Sequence, residues 1–552
     1  MSRNMKLELT WVGKEKEELI EPRILIENKE LSNIINDENT DNMLIHGDNL
    51  LALKSLEQDY SGKIKCIYID PPFNTGAAFE HYDDNLEHSI WLDLMYKRLN
   101  ILYSLLKDGG VIFIEIDDNE MPYLRVILDE IFGRNSFVAQ ICVKSNNLSG
   151  TKTAHKTKTI LRNKDNIIVY KKGEEITINP QYVERNRWDT HYNAYGVFND
   201  GKLVEIKKFK DVLIENGIIT TKQAIKEDFL NNQTFYDFII KHKNNICRLV
   251  NSMPDEMKKM SKNNPSEIIE YKDENNNTRY AYNGSRVSFL NSSIMEIDNE
   301  EKFVQLLGDL WIDIDFQNTQ NEGKVSFPAS KKPEALIKRI LDMVTEEGDI
   351  VLDSFLGSGT TCAVAHKMRR KWIGIELGDH AYTHCKVRLD AIIKNEDLGG
   401  ITKSVNWQGG GGYKFYELAP TLIKEDDFGQ TIINPEYNAE MLASAVAKHE
   451  GYFYNPDNSV FWKQSNNQGK SYLFVTTNHV NSQLIETIKA DMQEDEFVLI
   501  VCKSFDSNCN SYKNIAIKKI PQSLLKNCKF GVDNYNLNII CPPEYDEEGS
   551  NE

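Results

Sequence analysis

A carboxylate, two consecutive prolines and an aromatic ring stand together in Asp70-Pro71-Pro72-Phe73, the start of the run Asp70-Pro71-Pro72-Phe73-Asn74-Thr75-Gly76. The stretch before it, Lys65-Cys66-Ile67-Tyr68-Ile69, is short, apolar and β-prone, as a buried strand should be. Two prolines cannot continue a strand, and they hold the next turn in one shape. The turn then presents the Asp70 carboxylate, the Pro71 carbonyl and the Phe73 ring at the carboxyl end of a sheet, where open α/β sheets bind ligands. Two acceptors beside a stacking ring suit a planar group with an exocyclic NH2, such as adenine or cytosine. The plainer reading is a strand-to-loop turn whose Asp caps the next helix.

A second constellation lies far downstream. The run from Asp349 to Thr361, with Asp353-Ser354-Phe355-Leu356-Gly357-Ser358-Gly359-Thr360 at its centre, reads as strand, glycine loop and helix start. A further strand follows at Trp372-Ile373-Gly374-Ile375-Glu376. Gly357 and Gly359 let the backbone turn tightly and approach a ligand closely. Glu376 ends the second strand about 20 residues beyond the glycines, the spacing at which an acid meets ribose hydroxyls in nucleotide-binding βαβ units. The third glycine of the dinucleotide fingerprint is missing, and no Gly-Lys-Ser/Thr follows, so neither that fingerprint nor a phosphate-binding P-loop is present. Without its flanking strands the loop would be an ordinary turn.

Together these residues resemble the DNA amino-methyltransferases that use S-adenosylmethionine. In that family (Asp/Asn/Ser)-Pro-Pro-(Tyr/Phe/Trp) holds the flipped base, and Phe-x-Gly-x-Gly holds the methionine part of the cofactor. Here the base tetrapeptide precedes the cofactor loop, the circularly permuted β-group order. The chain is most similar to the modification subunit of type III restriction systems, through Leu44-Ile45-His46-Gly47-Asp48-Asn49-Leu50, Asp84 to Leu92, Gly110 to Glu120 and Phe327 to Leu336. The resemblance is close over 40–145 and 305–395, loose between them and only general beyond about 410. It implies a catalytic set of Asp70, Pro71, Pro72 and Phe73. It also implies a cofactor set of Asp48 at the adenine ring, Lys332 and Pro333 opening the helix over the carboxylate end, Asp353, Phe355, Gly357, Gly359 and Thr360 around the methionine part, and Glu376 at the ribose. An initial Asp favours N6 of adenine; Ser is more usual for N4 of cytosine. Most relatives carry Tyr where Phe73 stands, so stacking is kept and a hydroxyl is lost. Transfer to N4 of cytosine, a stand-alone methylase, a non-catalytic DNA-specificity subunit and an RNA or protein methyltransferase are the rival readings.

The elements that must position these residues alternate along the chain. Strands are expected at 43–46, 64–69 and 111–116, with helices from Leu50, around 88–106 and at 119–132. That βαβ rhythm implies a parallel sheet with right-handed crossovers. The expected fold is α/β, a circularly permuted Rossmann-like methyltransferase sheet. Its parts are an N-terminal arm (1–40), a catalytic half (41–144), an inserted target-recognition domain (145–305), a cofactor half (306–408), a C-terminal α/β accessory domain (413–541) after the glycines at 409–412, and an acidic tail (542–552). Within the insertion, Arg185, Asn186, Arg187, Trp188, His191, Tyr192, Tyr195, Tyr280, Arg286 and Phe289 could read base edges, stack on bases or form that domain's own core.

A chain of 552 residues has room for two to four domains. Nine cysteines form no Cys-x-x-Cys pair and eleven histidines no ligand pattern, so reduced thiols, no metal and a cytoplasmic location are expected. No apolar run approaches a membrane span and the polar N-terminus is not a secretory signal. The net charge of −18 argues against DNA only until its distribution is considered. Lys144, Lys152, Lys156, Lys158, Arg162, Lys164, Lys171 and Lys172 face the single acid Asp165 across one stretch. The first six are the candidate phosphate contacts; a solvated basic face is the bland reading. The expected partners are double-stranded DNA and, by the resemblance, a second copy of the chain and a restriction (helicase–nuclease) subunit.

Overall fold

Ten short runs separated by helices pair into one sheet in the structure, a computed structural model that describes residues 8–11, 14, 20–74, 88–147, 157, 160–297, 300–316, 319–327, 330–526, 528 and 530. The chain enters this sheet through β1 (Leu25–Glu27), β2 (Met43–His46), β3 (Ile64–Ile69), β4 (Leu106–Ile116), β5 (Phe137–Lys144) and β6 (Lys164–Lys171). It returns through Leu310–Trp311, Ile350–Asp353, Lys371–Glu376 and Lys414–Leu418. Across the sheet the order is β1, Lys414–Leu418, β2, Lys371–Glu376, Ile350–Asp353, β3, β4, β6, β5 and Leu310–Trp311. The strands from Lys414–Leu418 to β4 are all parallel, and β6 runs antiparallel to both β4 and β5.

Apart from Lys65 and Glu115, the residues of β3 and the Val111–Ile116 stretch of β4 are apolar on both faces and almost wholly buried, as a sheet covered by helices on both sides requires. Helices α1 (Asn49–Tyr60), α2 (His88–Leu105) and α3 (Met121–Phe132) share one apolar cluster with the sheet. Helices Glu334–Val344, Thr360–Lys367 and Lys386–Ile393 pack on one another in sequence. From Ile350–Asp353 the chain crosses to Lys371–Glu376 on one side, whereas from β3 it crosses to β4 on the other. The two crossovers diverge, and open α/β sheets leave a crevice at the carboxyl ends of such a strand pair. Val351 pairs with Cys66 and Leu352 with Ile67, so Asp353 ends its strand level with Tyr68, and Asp70 follows two residues on at the same end of the adjacent strand.

Two boundaries differ from the sequence expectation. The inserted unit runs from Pro180 to Gly308, not from 145, because Ile167-Ile168-Val169-Tyr170 is a buried apolar run that completes the central sheet between β4 and β5. The glycines at 409–412 do not end the first unit either, since Lys414–Leu418 pairs with β2. The inserted unit has its own six-stranded antiparallel sheet, a three-stranded one and an aromatic core. Beyond 418 a five-stranded sheet carries three parallel strands, Ser471–Val480, Phe497–Phe505 and Ile515–Lys519, with helices Ala439–Glu450 and Ser482–Asp491. The acidic tail lies outside the described residues.

Candidate active site

Asp70 leaves the end of β3 where the prolines stop the ladder. The turn after it is clipped at two places. The Trp91 indole N–H on α2 donates to the Pro72 carbonyl at 2.8 Å. Asn74, in the left-handed region at φ 55°, donates from its amide to Glu120 Oε1 at 2.8 Å. Glu120 precedes α3 and also meets His88 Nδ1 at 3.0 Å. The turn is thus tied to the starts of two helices, as a preorganised pocket wall requires. Thr75 and Gly76 lie outside the described residues.

Asp70 is one of four charged groups in a buried cluster. Lys332 Nζ lies 3.2 Å from Asp70 Oδ1 and 2.6 Å from Glu115 Oε1. The Tyr68 hydroxyl donates to Glu115 Oε2 at 2.5 Å, and Glu115 has no exposed surface. The ammonium also stands 5.2 Å from the centroid of the Phe73 ring. Asp165 on β6 lies within electrostatic reach of both Lys332 and Glu115. Burial pushes the Asp70 carboxyl well above the usual carboxylate range; Lys332 pulls it back, and Glu115 adds to the rise. Burial alone would lower the Lys332 pKa, but Asp70, Glu115 and Asp165 outweigh it and hold the ammonium charged. Lys332 was expected, with Pro333, to open the helix over the cofactor's carboxylate end; its Nζ points to the base turn, where Glu115 supplies a buried counter-ion.

On the other side of the crevice, Asp353 Oδ1 accepts the Phe355 N–H at 2.9 Å and Oδ2 the Thr361 hydroxyl at 2.6 Å. Burial pushes its carboxyl up to about 7, against the pull of Thr361 and the Phe355 amide. Gly359 sits at φ 82°, and a Cβ there would meet Cys385 Cα at 3.2 Å. Glu376 Oε2 accepts the Gly357 N–H at 2.7 Å and Oε1 the Gly378 N–H at 3.0 Å. Gly374 takes the close-packing duty of the missing third glycine, since a Cβ there would meet Cys362 Sγ at 2.5 Å.

Other expected cofactor residues are used internally. Asp48 caps α1 through Leu51 N–H at 3.0 Å and faces buried Arg98 at 3.6 Å, so its carboxylate turns into the fold. The Thr360 hydroxyl accepts from Arg388 at 2.8 Å. Phe355 packs in the apolar cluster beneath the sheet edge, and Pro333 caps the helix Glu334–Val344. That helix is pinned by Glu334, which pairs with Lys367 at 2.7 Å and Arg388 at 2.8 Å with no exposed surface on any of the three.

Of the expected DNA contacts, Arg162 pairs with Asp117 at 3.0 Å and Lys164 with Asp118 at 2.6 Å. Lys144 is half-buried at the end of β5, and Lys152, Lys156 and Lys158 lie outside the described residues. The acids after β4 therefore compensate part of the basic stretch. In the inserted unit Trp188 and Tyr192 are core residues. Asp189 gathers Arg185 at 3.4 Å, Arg248 at 3.1 Å and His191 at 2.7 Å. Among the described residues no group of three or more His, Cys, Asp or Glu is arranged to hold a metal ion, and no helix is long and apolar enough to cross a membrane.

Glu115, Trp91 and Glu120 were not singled out from the sequence as site residues. Glu115 had a signal: it is a lone acid within the apolar strand Val111-Ile112-Phe113-Ile114-Glu115-Ile116, and a charge in such a run needs a partner.

The sequence model of a family described as DNA methylase matches residues 64–216 and 197–386. The probable type III restriction-modification enzyme HindVI Mod subunit of Haemophilus influenzae is 37% identical over 414 residues, covering 69% of this chain and 54% of that protein. The type III restriction-modification enzyme EcoP15I Mod subunit of Escherichia coli is 25% identical over 507 residues, covering 77% of this chain and 73% of that protein. The chain spans about half the length of the Haemophilus relative. Among solved structures, the M1.HpyAVI–SAM complex aligns at 15% identity over 63% of this chain and 99% of that one, with a TM-score of 0.31, too low to argue from.

Proposed function

The chain belongs to the DNA methylase family, and on that footing we propose that it methylates N6 of adenine in double-stranded DNA as the modification and specificity subunit of a type III restriction-modification system. The observation that carries this reading is the adjacency, at one sheet edge, of the Asp70–Phe73 turn and the Asp353–Gly359 loop. Similarity to Mod subunits of type III enzymes supports the system and a restriction subunit as partner. The aspartate that opens the turn favours adenine.

The residues present fit S-adenosylmethionine. The loop opens at Gly357, where an added Cβ would have, among the described residues, only the Phe327 ring within 4 Å, at 3.9 Å, and a buried acid stands at each strand end. Bound there, the cofactor supplies an electrophilic methyl group on a sulfonium. The loop 355–359 and Glu376 would hold it, with Glu376 exchanging its backbone partners for ribose hydroxyls.

The base side does the rest. An exocyclic amine is a poor nucleophile because its lone pair is conjugated with the ring. Asp70 and the Pro71 carbonyl, both accepting from that NH2, favour its pyramidal form and place negative potential where the nitrogen becomes positive. This is positioning combined with preorganised electrostatics. Phe73 stacks on the extruded base, whose flipping costs a few kcal/mol. The unit Pro180–Gly308 is left to choose the sequence, because the two loops account for a complete cofactor-and-base pocket.

Expression in a host lacking its own DNA methyltransferases, followed by nucleoside mass spectrometry, tests the reading. N6-methyladenine is expected, and at least ~10²-fold less with Asp70→Ala. N4-methylcytosine would move the target to cytosine, and unmodified DNA would refute the assignment.

A further inference from the structure

We propose that Lys332, fixed by the buried carboxylate of Glu115, is a positioning residue that draws Asp70 toward its ionised, accepting form. The inference rests on Asp70 being the acceptor of the target amine, and it goes further by naming what sets the charge state of that acceptor.

The groups that face Asp70 come from every element around it. Tyr68 lies on the same strand and donates to Glu115. Glu115 projects from β4, and Asp165 from β6, where Ser145 donates to it. Asp353 acts on Tyr68 from the neighbouring strand and Asp117 on Asp165. Lys332 enters from the segment leading into helix Glu334–Val344 and is the one cation, among the described residues, within ion-pair distance of Asp70. Three carboxylates therefore share one ammonium in a site largely closed to water.

Such surroundings favour a neutral acid: burial raises a carboxyl pKa, and neighbouring like charges raise it further. A protonated Asp70 would be a weaker acceptor and would build no negative potential as the amine nitrogen becomes positive. Lys332 is the counterweight, and its place is not left to chance. Its ammonium is held at 2.6 Å by Glu115, which has no exposed surface and is itself bonded by Tyr68. Two residues on, Glu334 fixes the helix start through Lys367 and Arg388. Were Lys332 to swing away to another anion, Glu115 would be left a buried ion without its counter-ion.

The test is the pH dependence of single-turnover methyl transfer by the full chain and its variants Lys332→Met, Lys332→Arg and Glu115→Gln. Transfer is faster with Asp70 ionised than protonated, so it falls as pH drops through the pKa of that group. Removing the ammonium should move this acid limb to higher pH by about one unit or more. Glu115→Gln removes a like charge and releases Lys332 toward Asp70, so its limb should move to lower pH. Lys332→Arg should keep the limb of the unaltered chain. A purely structural role would depress rates without moving either limb in opposite senses, and that result would overturn the proposal. If Lys332→Met does not fold, Glu115→Gln, which keeps the shape of the side chain, decides alone.

A readout independent of turnover is the carboxyl-carbon NMR titration of aspartate-labelled protein without cofactor, Asp70 being assigned with Asp70→Asn. The Asp70 resonance should titrate at higher pH in Lys332→Met than in the unaltered chain; an unchanged midpoint would overturn the proposal. Absence of transfer by the unaltered chain at every pH would refute the methyltransferase reading instead, and the NMR titration would still decide what Lys332 does to Asp70.

Discussion

Asp70→Asn should make the protein more stable at neutral pH, whereas Asp70→Ala should abolish most activity. The side chain is 21% exposed and sits beside Glu115 and Lys332, and its carboxyl is pushed up by burial and Glu115 despite the lysine. A carboxyl whose folded pKa exceeds its unfolded value costs no stability while both states are protonated. The cost appears as pH rises through the unfolded value and grows until the folded pKa is passed. One unit of such a shift is worth about 1.4 kcal/mol, so the amide, which never ionises, should stabilise by ~1 kcal/mol or more at neutral pH. For a protein of this size that is roughly 1–3 °C in Tm. The gain should shrink toward zero below the ordinary carboxylate range. Lys332 keeps Glu115 as partner in the variant, which limits any opposing loss. In Asp70→Ala, loss of one preorganised acceptor should lower single-turnover transfer ~10²-fold or more, with cofactor affinity unchanged by calorimetry. The assays are thermal unfolding from acid to neutral pH and a labelled-methyl transfer rate. An Asp70→Ala variant within tenfold of full activity, or an Asp70→Asn variant less stable than the unaltered chain at neutral pH, would refute the reasoning.

Trp91→Phe keeps a buried ring but removes the donor to the Pro72 carbonyl; it should cost about 1 kcal/mol in stability and roughly tenfold in transfer rate, with cofactor affinity intact by calorimetry. Gly359→Ala places a Cβ on a φ of 82° and 3.2 Å from Cys385 Cα; it should destabilise by ~1–2 kcal/mol in urea unfolding and weaken cofactor binding tenfold or more in calorimetry. Glu334→Gln leaves Lys367 and Arg388 short of a buried counter-ion, at a cost of about 3–5 kcal/mol in urea unfolding. Burial pushes the Glu334 pKa up, but Arg388 and Lys367 outweigh it and leave the pKa lowered. Its contribution is therefore present above the unfolded carboxylate pKa and lost as pH falls through the folded one, so the gap between Gln variant and unaltered chain should close on acidification.

What was legible in the sequence was local chemistry. β3 and the strands Ile350–Asp353 and Lys371–Glu376 are apolar runs closed by residues that end strands, and they lie where the runs predict. The prolines after Asp70 and the glycines after Asp353 likewise announce turns through their own backbone constraints. What stayed hidden depends on partners distant in the chain. Lys332 and Glu115 are 217 residues apart, and nothing beside Lys332 says that its ammonium turns to the base side. Thr360 and Asp48 have the residue types of ligand contacts, and nothing beside them in the chain announced their partners within the fold, Arg388 and the first turn of α1. Ile167 to Tyr170 read as part of an insertion because an antiparallel strand inside a parallel sheet has no local mark. Trp188 and Tyr192 could have read DNA or formed a core, and packing with Phe209, Phe235 and Phe303 placed them in the core.

The central claim is that one crevice, between Asp70 and Asp353, brings a base amine to a cofactor methyl group. It is tested most directly by incubating the purified chain with S-adenosylmethionine labelled in the methyl group and unmethylated mixed-sequence duplex DNA, then separating the nucleosides. The account predicts label in N6-methyladenosine of the deoxy series, within one sequence context, and at least ~10²-fold less with Asp70→Ala. Label that stays at the level of the unaltered chain in that variant, or that appears only in RNA or protein, would contradict it.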